Sequence, residues 1–184
     1  MKVTKTEIED LLVLEPKVFG DARGYFFEAF NERDFREATG LSVQFVQDNE
    51  SRSQKGVLRG MHFQKAPFAQ DKLIRVVRGS VQDVAVDLRP GSPTYGRHFS
   101  IVLSGENHLM VFIPAGFAHG FLTLEDNTIF QYKCSKYYEP SSEGSIRWDD
   151  PTLAIPWMDP GVPYILSPKD LAAHLLENLK WVSE

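Results

Sequence analysis

Between residues 83 and 88 large apolar side chains alternate with small or charged ones: Val84, Val86 and Leu88 against Asp83, Ala85 and Asp87. A period of two marks a strand, because successive side chains point to opposite faces of a sheet. The same beat returns in HFSIVLS (98–104), through Phe99, Ile101 and Leu103, and in HLMVFIP (108–114), through Leu109, Val111 and Ile113. The valine-rich run LIRVVRGSVQDVAVDLR (73–89) breaks at Gly79-Ser80, which predicts a hairpin-like turn, and GFLTLED and TIFQYKCSKYY follow. Short strands at near-regular spacing predict a mainly β chain folded as an antiparallel sandwich or barrel.

Helical patterning is confined to two places. NERDFREATG (31–40) reads as a short helix with Asn31 as N-cap and Gly40 as the stop. SPKDLAAHLLENLKW (167–181) reads as a second, at the C-terminus, with Ser167 capping, Pro168 at the first helical position and Leu171, Leu175 and Leu179 as its apolar stripe. The Pro-rich stretch 151–163 reads as a rigid loop leading into it.

Composition narrows the function classes. The 184 residues form, on this reading, one domain over 1–184, long enough for a core without staples. A net charge of -5 with dispersed basic residues excludes a phosphate-tracking nucleic-acid surface, though not one small anionic ligand. No run reaches the roughly 20 apolar residues of a membrane helix. The N-terminal stretch, with glutamates and an aspartate where a signal peptide would need an unbroken apolar run, is not expected to act as one. A lone cysteine, Cys134, fits a reducing compartment, so a cytoplasmic protein is expected.

Candidate chemistry centres on His62 in VLRGMHFQ (57–64), a titratable ring inside an apolar strand. Strand parity puts Leu58, Gly60, His62 and Gln64 on one face and Arg59, Met61 and Phe63 on the other. Gly60 could mark a bulge that re-aims Arg59, but beside a catalytic His62 it is read as clearing room for a ligand. A core histidine satisfied by one hydrogen bond is the plain alternative to a general base. IPAGFAHGF (113–121) carries the Pro-x-Gly-x-x-His turn typical of cupin barrels, which aims His119 at the barrel interior. Metal-binding cupins add His-x-His and a glutamate on an earlier strand. Here position 64 is Gln, and two imidazoles without a carboxylate make a poor divalent-metal site, so no metal is expected.

Further stretches carry polar groups in suggestive places: GDARGYFFEAF (20–30), a Gly-flanked loop before a strand carrying Phe26 and Glu28; VQDNESRS (46–53), which reads as a polar turn after an apolar strand; and KLIR (72–75), a lysine at a strand start. Taken in order, DARGYF, VQDN, LRGMHFQ, PAGFAHGF, QYKCSKYY, GSIRWDDP and LSPKD strongly resemble the dTDP-4-dehydrorhamnose 3,5-epimerase family, from about residue 13 to residue 172. The resemblance implies a cupin-type antiparallel jelly roll, needing no cofactor, that acts on a dTDP-4-keto-6-deoxyhexose as a homodimer. It makes His62 the proton-abstracting base, Asp170 the carboxylate paired with it, Tyr132 the proton donor on the opposite face of the sugar and Lys72 the cation near the C4 oxygen. Arg23, Glu28, Gln47, Asp48 and Asn49 match substrate-contacting positions, as do Arg59, His119, Glu143 and Lys169. Tyr138 matches the aromatic that stacks on thymine. In a dimer, the segment holding Arg23, Phe26 and Glu28 would complete the partner's pocket. Met61 and Phe63 stand where the family often has Leu and Tyr, and Glu50 follows QDN where another polar residue is common; none of these removes a reacting group. Two alternatives stay open at this level: an epimerase inverting only C3 or only C5, and a non-catalytic sugar-nucleotide-binding cupin.

Overall fold

The computed structural model describes residues 1–179. In chain order it holds strands β1 (Lys2–Lys5), β2 (Leu12–Glu15), β3 (Phe19–Asp21) and β4 (Gly24–Phe26), then helix α1 (Glu32–Thr39). Strands β5 (Gln47–Ser53), β6 (Leu58–Gln64), β7 (Lys72–Arg78), β8 (Ser80–Asp87) and β9 (His98–Ser104) follow. Next come β10 (Met110–Ile113), β11 (Phe117–Thr123), β12 (Thr128–Cys134) and β13 (Glu143–Ser145), with a one-turn helix α2 (Pro168–Leu171) near the end. One sheet has six strands in the order β1-β2-β10-β7-β12-β5, the other five in the order β13-β6-β11-β8-β9, and β3–β4 forms a separate hairpin. All pairings between these strands are antiparallel, and two isolated bridges, Val57–Ile165 and Ile146–His174, are parallel. Two facing antiparallel sheets with non-sequential neighbours are the cupin-like jelly roll that the strand pattern and the His119 turn predicted.

The period-two stripe of β8 is realised with its faces unequally dressed. Val84 and Val86, with Leu88 just beyond, pack on Met61, Phe63, Ile146, Leu153 and Leu176, on the side covered by the C-terminal segment. Val81 and Ala85 face the other sheet and join Ile74, Val111, Phe121 and Phe130 in the core between the sheets. Each fully buried side chain of this kind contributes about 1.5–3 kcal/mol. The charged members of the stripe are buried too. Asp87 is fully buried and accepts from Arg89 Nη2 (2.8 Å), Ser92 Oγ (2.7 Å) and Thr94 Oγ1 (2.6 Å). Burial pushes its pKa up, but these donors outweigh it and hold the carboxyl well below the usual range.

Three expectations meet tertiary context here. Helix α1 forms as predicted: Asn31 Oδ1 accepts from Asp34 N (3.3 Å), and Gly40, at φ 74°, ends it. Gly79 is a corner, not a hairpin, for β7 and β8 belong to different sheets. Its φ is +77°, and a Cβ there would collide with Thr128. The long C-terminal helix does not form. After α2 the chain makes only a 3-10 turn at Leu176–Asn178, and Lys180 and Trp181 lie outside the described residues. The backbone is drawn outward by partners elsewhere: Arg147 N donates to His174 O (2.9 Å), and Leu176 N to Asp150 Oδ2 (2.7 Å). Leu171 of the expected stripe is consequently 60% exposed, and Leu176 is buried instead.

Candidate active site

A cavity of about 620 Å³ opens between the sheets, with β6 and β11 supplying one wall and β5, β7 and β12 the other. On the β6 wall the register slips: His62 pairs with His119 and Arg59 with Phe121, so three steps along β6 match two along β11. This bulge reverses strand parity, and Arg59 and His62 therefore both line the cavity. Gly60, at φ +134°, serves the bulge and not a ligand. A Cβ on it would stand 2.5 Å from Gly120 Cα and 3.0 Å from His119 O, and a Cβ on Gly120 would meet Arg59 O and Met61 Sδ at 2.7 Å. Of the two roles open to Gly60, re-aiming Arg59 is the one realised.

His62 Nε2 donates to Asp170 Oδ1 at 2.6 Å. Asp170 is 3% exposed, and its four donors leave neither oxygen bare: Gly60 N (3.4 Å) and the imidazole on Oδ1, Ser167 Oγ (2.6 Å) and Ser167 N (3.4 Å) on Oδ2. Ser167 also caps α2, so the helix start and the carboxylate are set by one capping box. With its proton on Nε2, the neutral imidazole keeps a lone pair on Nδ1, which has no hydrogen-bond partner among the described residues. Burial lowers the His62 pKa from the ordinary value; Asp170 raises it, and Lys169 and Lys72 lower it further. The net direction is down, so the ring stays neutral near pH 7.

Tyr132 and Lys72 come from the facing sheet. Tyr132 pairs with Asn49 on β5 and with Ile74 on β7, and Lys72 lies opposite Cys134. Lys72 Nζ stands 5.7 Å from the centre of the Tyr132 ring. Neither the phenol oxygen nor this ammonium has a hydrogen-bond partner among the described residues. Burial raises the Tyr132 pKa, keeping the phenol protonated, and burial lowers that of Lys72 against the pull of Cys134, Asp83 and Glu143. A second histidine–carboxylate pair sits deeper: His119 Nε2 and Asp83 Oδ2 are 2.8 Å apart, both buried, with the imidazole stacked on Phe130 at 6.0 Å.

At the mouth, Tyr138 is exposed, its hydroxyl donating to Glu143 Oε2 (2.9 Å) and its backbone N–H to Gln47 Oε1 (3.0 Å). Lys169 Nζ donates to the other Glu143 oxygen. Burial would raise the Glu143 pKa, but the Lys169 and Tyr138 hydrogen bonds hold it below the ordinary value. One cavity thus gathers an acceptor nitrogen, a protonated phenol, an ammonium and an aromatic rim.

A family model described as dTDP-4-dehydrorhamnose 3,5-epimerase matches residues 5–178. The chain belongs to the dTDP-4-dehydrorhamnose 3,5-epimerase family. It is 52% identical over 179 residues to the dTDP-4-dehydrorhamnose 3,5-epimerase of Escherichia coli, covering 97% of this chain and 96% of that one. It is similar, at a TM-score of 0.94 and 50% identity, to a dTDP-6-deoxy-D-glucose-3,5-epimerase of Legionella pneumophila solved with dTDP-4-keto-L-rhamnose, over 97% of this chain and 94% of that one. A 3'-monoepimerase of Streptomyces bikiniensis solved with dTDP-quinovose is more distant, at a TM-score of 0.88 and 37% identity over 94% of this chain and 86% of that one.

The epimerase-family positions do not all converge. His62, Asp170, Tyr132, Lys72, Asn49, Arg59, His119, Tyr138 and Glu143 line the cavity. Lys169 and Gln47 stand behind it, bonded to Glu143 and Tyr138. Asp48 turns to the outer face and accepts from Lys133 Nζ (2.9 Å). Arg23 and Phe26 lie apart on the β3–β4 hairpin, lining a surface groove of about 380 Å³, with Arg23 paired to Asp21. Glu28 follows that hairpin and is exposed. Sequence reasoning missed Asp83, whose alternation with Val84 reads as a solvent-facing charge. It also missed what Gln64 does: its amide donates to Phe68 O (2.7 Å) and Tyr137 O (3.3 Å) and accepts from Glu139 N (2.8 Å). Among the described residues no group of three or more His, Cys, Asp or Glu converges as a metal site.

Proposed function

We propose that this chain inverts C3 and C5 of dTDP-4-dehydro-6-deoxy-D-glucose to give dTDP-4-dehydro-L-rhamnose. Both carbons flank the C4 ketone, so each C–H can ionise to an enolate whose charge rests on O4. His62 Nδ1 takes the proton from one face, and Tyr132 returns one from the other. Each such transfer is typically worth about 10²–10⁴ in rate. Lys72 meets the developing charge on O4, a contribution of roughly 2.7–4 kcal/mol by analogy with oxyanion-hole donors. Arg59 takes diphosphate oxygens, for which a guanidinium fork is suited, and Tyr138 stacks on thymine. Atoms and electrons balance without an oxidant, since one proton leaves and one arrives at each centre.

The observation that carries this reading is that an imidazole with a free lone pair and a protonated phenol open into one cavity from opposite sheets. Incubation with dTDP-4-keto-6-deoxyglucose in D₂O, followed by NMR, tests it. Deuterium is expected at both C3 and C5 of an inverted product. Label at one carbon alone would make the chain a single-centre epimerase, and no label would overturn the reading.

We further infer a cytoplasmic homodimer. Phe19, Tyr25 and Phe26 are 53%, 60% and 67% exposed on the β3–β4 hairpin, an apolar surface that a second copy would cover. This arrangement supports Arg23, Phe26 and Glu28 as contributors to the partner's pocket. Light scattering on the pure protein should give twice the chain mass, and Arg23→Ala should weaken substrate binding; a monomer with full activity would exclude the idea. The single cysteine, Cys134, is free and buried, which supports a reducing compartment.

A further inference from the structure

Gln64 is buried at 7% exposure, two residues beyond His62 in the cavity wall, yet its hydrogen bonds all go to the rim loops. Its amide nitrogen holds two loop carbonyls, Phe68 O at 2.7 Å and Tyr137 O at 3.3 Å, and its amide oxygen takes Glu139 N at 2.8 Å. The bonds to Tyr137 and Glu139 bracket Tyr138. That residue is fixed again through its own N–H by Gln47 Oε1 at 3.0 Å and through its hydroxyl by Glu143 Oε2 at 2.9 Å, and Glu143 lies opposite Gln64 in the β13–β6 register. The result is an unusual combination: an aromatic side chain 53% exposed, with no ring partner among the described residues, on a backbone tied down from every side. An exposed ring held this firmly has no packing role of its own, whereas a stacking surface benefits from being ordered before its ligand arrives, because less freedom is lost on binding.

We propose that Gln64 is a positioning residue that presets Tyr138 as a rigid platform for the nucleobase of the substrate. The proposal rests on the stacking role assigned to Tyr138 above. Gln64 acts through the 137–139 backbone and not on the sugar, so its loss should appear in nucleotide affinity and not in the proton transfers. Gln64→Met keeps the volume and removes all three hydrogen bonds. Gln64→Glu keeps an acceptor for Glu139 N and replaces the two donations by repulsion.

The test is a double-mutant cycle with Tyr138→Ala, read by titration calorimetry with dTDP and by steady-state epimerisation, on proteins shown folded by circular dichroism. Gln64→Met is expected to raise the dTDP Kd and the KM about tenfold, the size of losing about one hydrogen bond's worth of preordering. kcat should move less than about twofold, and the effect should vanish in the Tyr138→Ala background, because coupled residues are not additive. A merely structural loss would lower kcat with the folded fraction and leave Kd alone. Unchanged dTDP affinity in a folded Gln64→Met or Gln64→Glu, a fall in kcat matching the rise in Kd, or simple additivity with Tyr138→Ala would each overturn the proposal. If Tyr138→Ala by itself leaves dTDP affinity intact, the stacking role fails first, and with it the basis of this inference.

Discussion

Two histidine–aspartate pairs stand side by side in this fold, on residues that are direct partners across β6 and β11. The deeper pair, His119–Asp83, is held by two barrel strands, and its side chains are 8% and 2% exposed. The outer pair joins a strand to the capping box of a one-turn helix 108 residues away in sequence, and its imidazole side chain is 32% exposed. The chemistry is the same and the settings are opposite. The inner pair is closed in by strands and stacked on Phe130, and of its two members His119 alone reaches the cavity wall. A pair with an imidazole lone pair facing open space can exchange protons with something that enters.

If that distinction is real, the two pairs must fail differently. The largest effect expected is from His62→Ala, which should abolish deuterium wash-in at both C3 and C5, a loss of at least about 10²–10⁴, with little change in unfolding midpoint. Retained exchange at either carbon would break the contrast at its outer end. Next comes Asp83→Ala, which strands His119 in the core. Losing a buried hydrogen bond to a charged group costs roughly 1.5–3 kcal/mol, so denaturant unfolding should show a loss of that order. A stability close to wild type would make the inner pair no different from the outer. Tyr132→Phe should then impair inversion by about 10² while exchange at the base face survives better. Parallel losses in NMR-monitored exchange and inversion would deny Tyr132 its separate role.

The smallest effect is in pH dependence. Burial holds the His62 pKa below the ordinary histidine value, and only the neutral ring can act as a base. The acid limb of kcat/KM should therefore lie below about 6.5. The groups facing the imidazole are Asp170, Lys169, Lys72 and Glu143, of which the two carboxylates favour the protonated ring, Asp170 through its direct hydrogen bond. Asp170→Asn removes that support, so in the residual activity the limb should move further down. A rise measured in the kcat/KM profile would contradict the sign.

How much of this was legible beforehand differs from element to element. Helix α1 was, because Asn31 and Gly40 act on backbone within a few residues of themselves. The central strands were, from period-two stripes such as those of β8, β9 and β10, but β5 was not: VQDNESRS reads as a polar turn, and it becomes strand Gln47–Ser53 because β12 pairs with it along its whole length. The C-terminal helix was misread, since Asp150 and Arg147 take hold of its backbone from elsewhere and no local signal announces them. In the site, His62, Tyr132 and Asp170 were reached through motifs that occur in order and Lys72 through the family resemblance they carry, and the structure brings all four to one cavity. Asp83 and Gln64 went unrecognised because each looks polar in a strand, and only the opposite sheet or the rim loops show what each bonds.

By itself, then, the chain's pattern determined that it would form antiparallel strands, which of them would be rich in core residues, and which side chains had the chemistry to move protons. Those properties depend on residue type and on spacing of one to four positions. Tertiary structure decided which face each stripe would present, that a bulge would turn Arg59 to the side of His62, and that the two imidazoles would live in different surroundings. Such outcomes depend on close approach between residues far apart in sequence, where a single extra residue in a strand exchanges inside for outside.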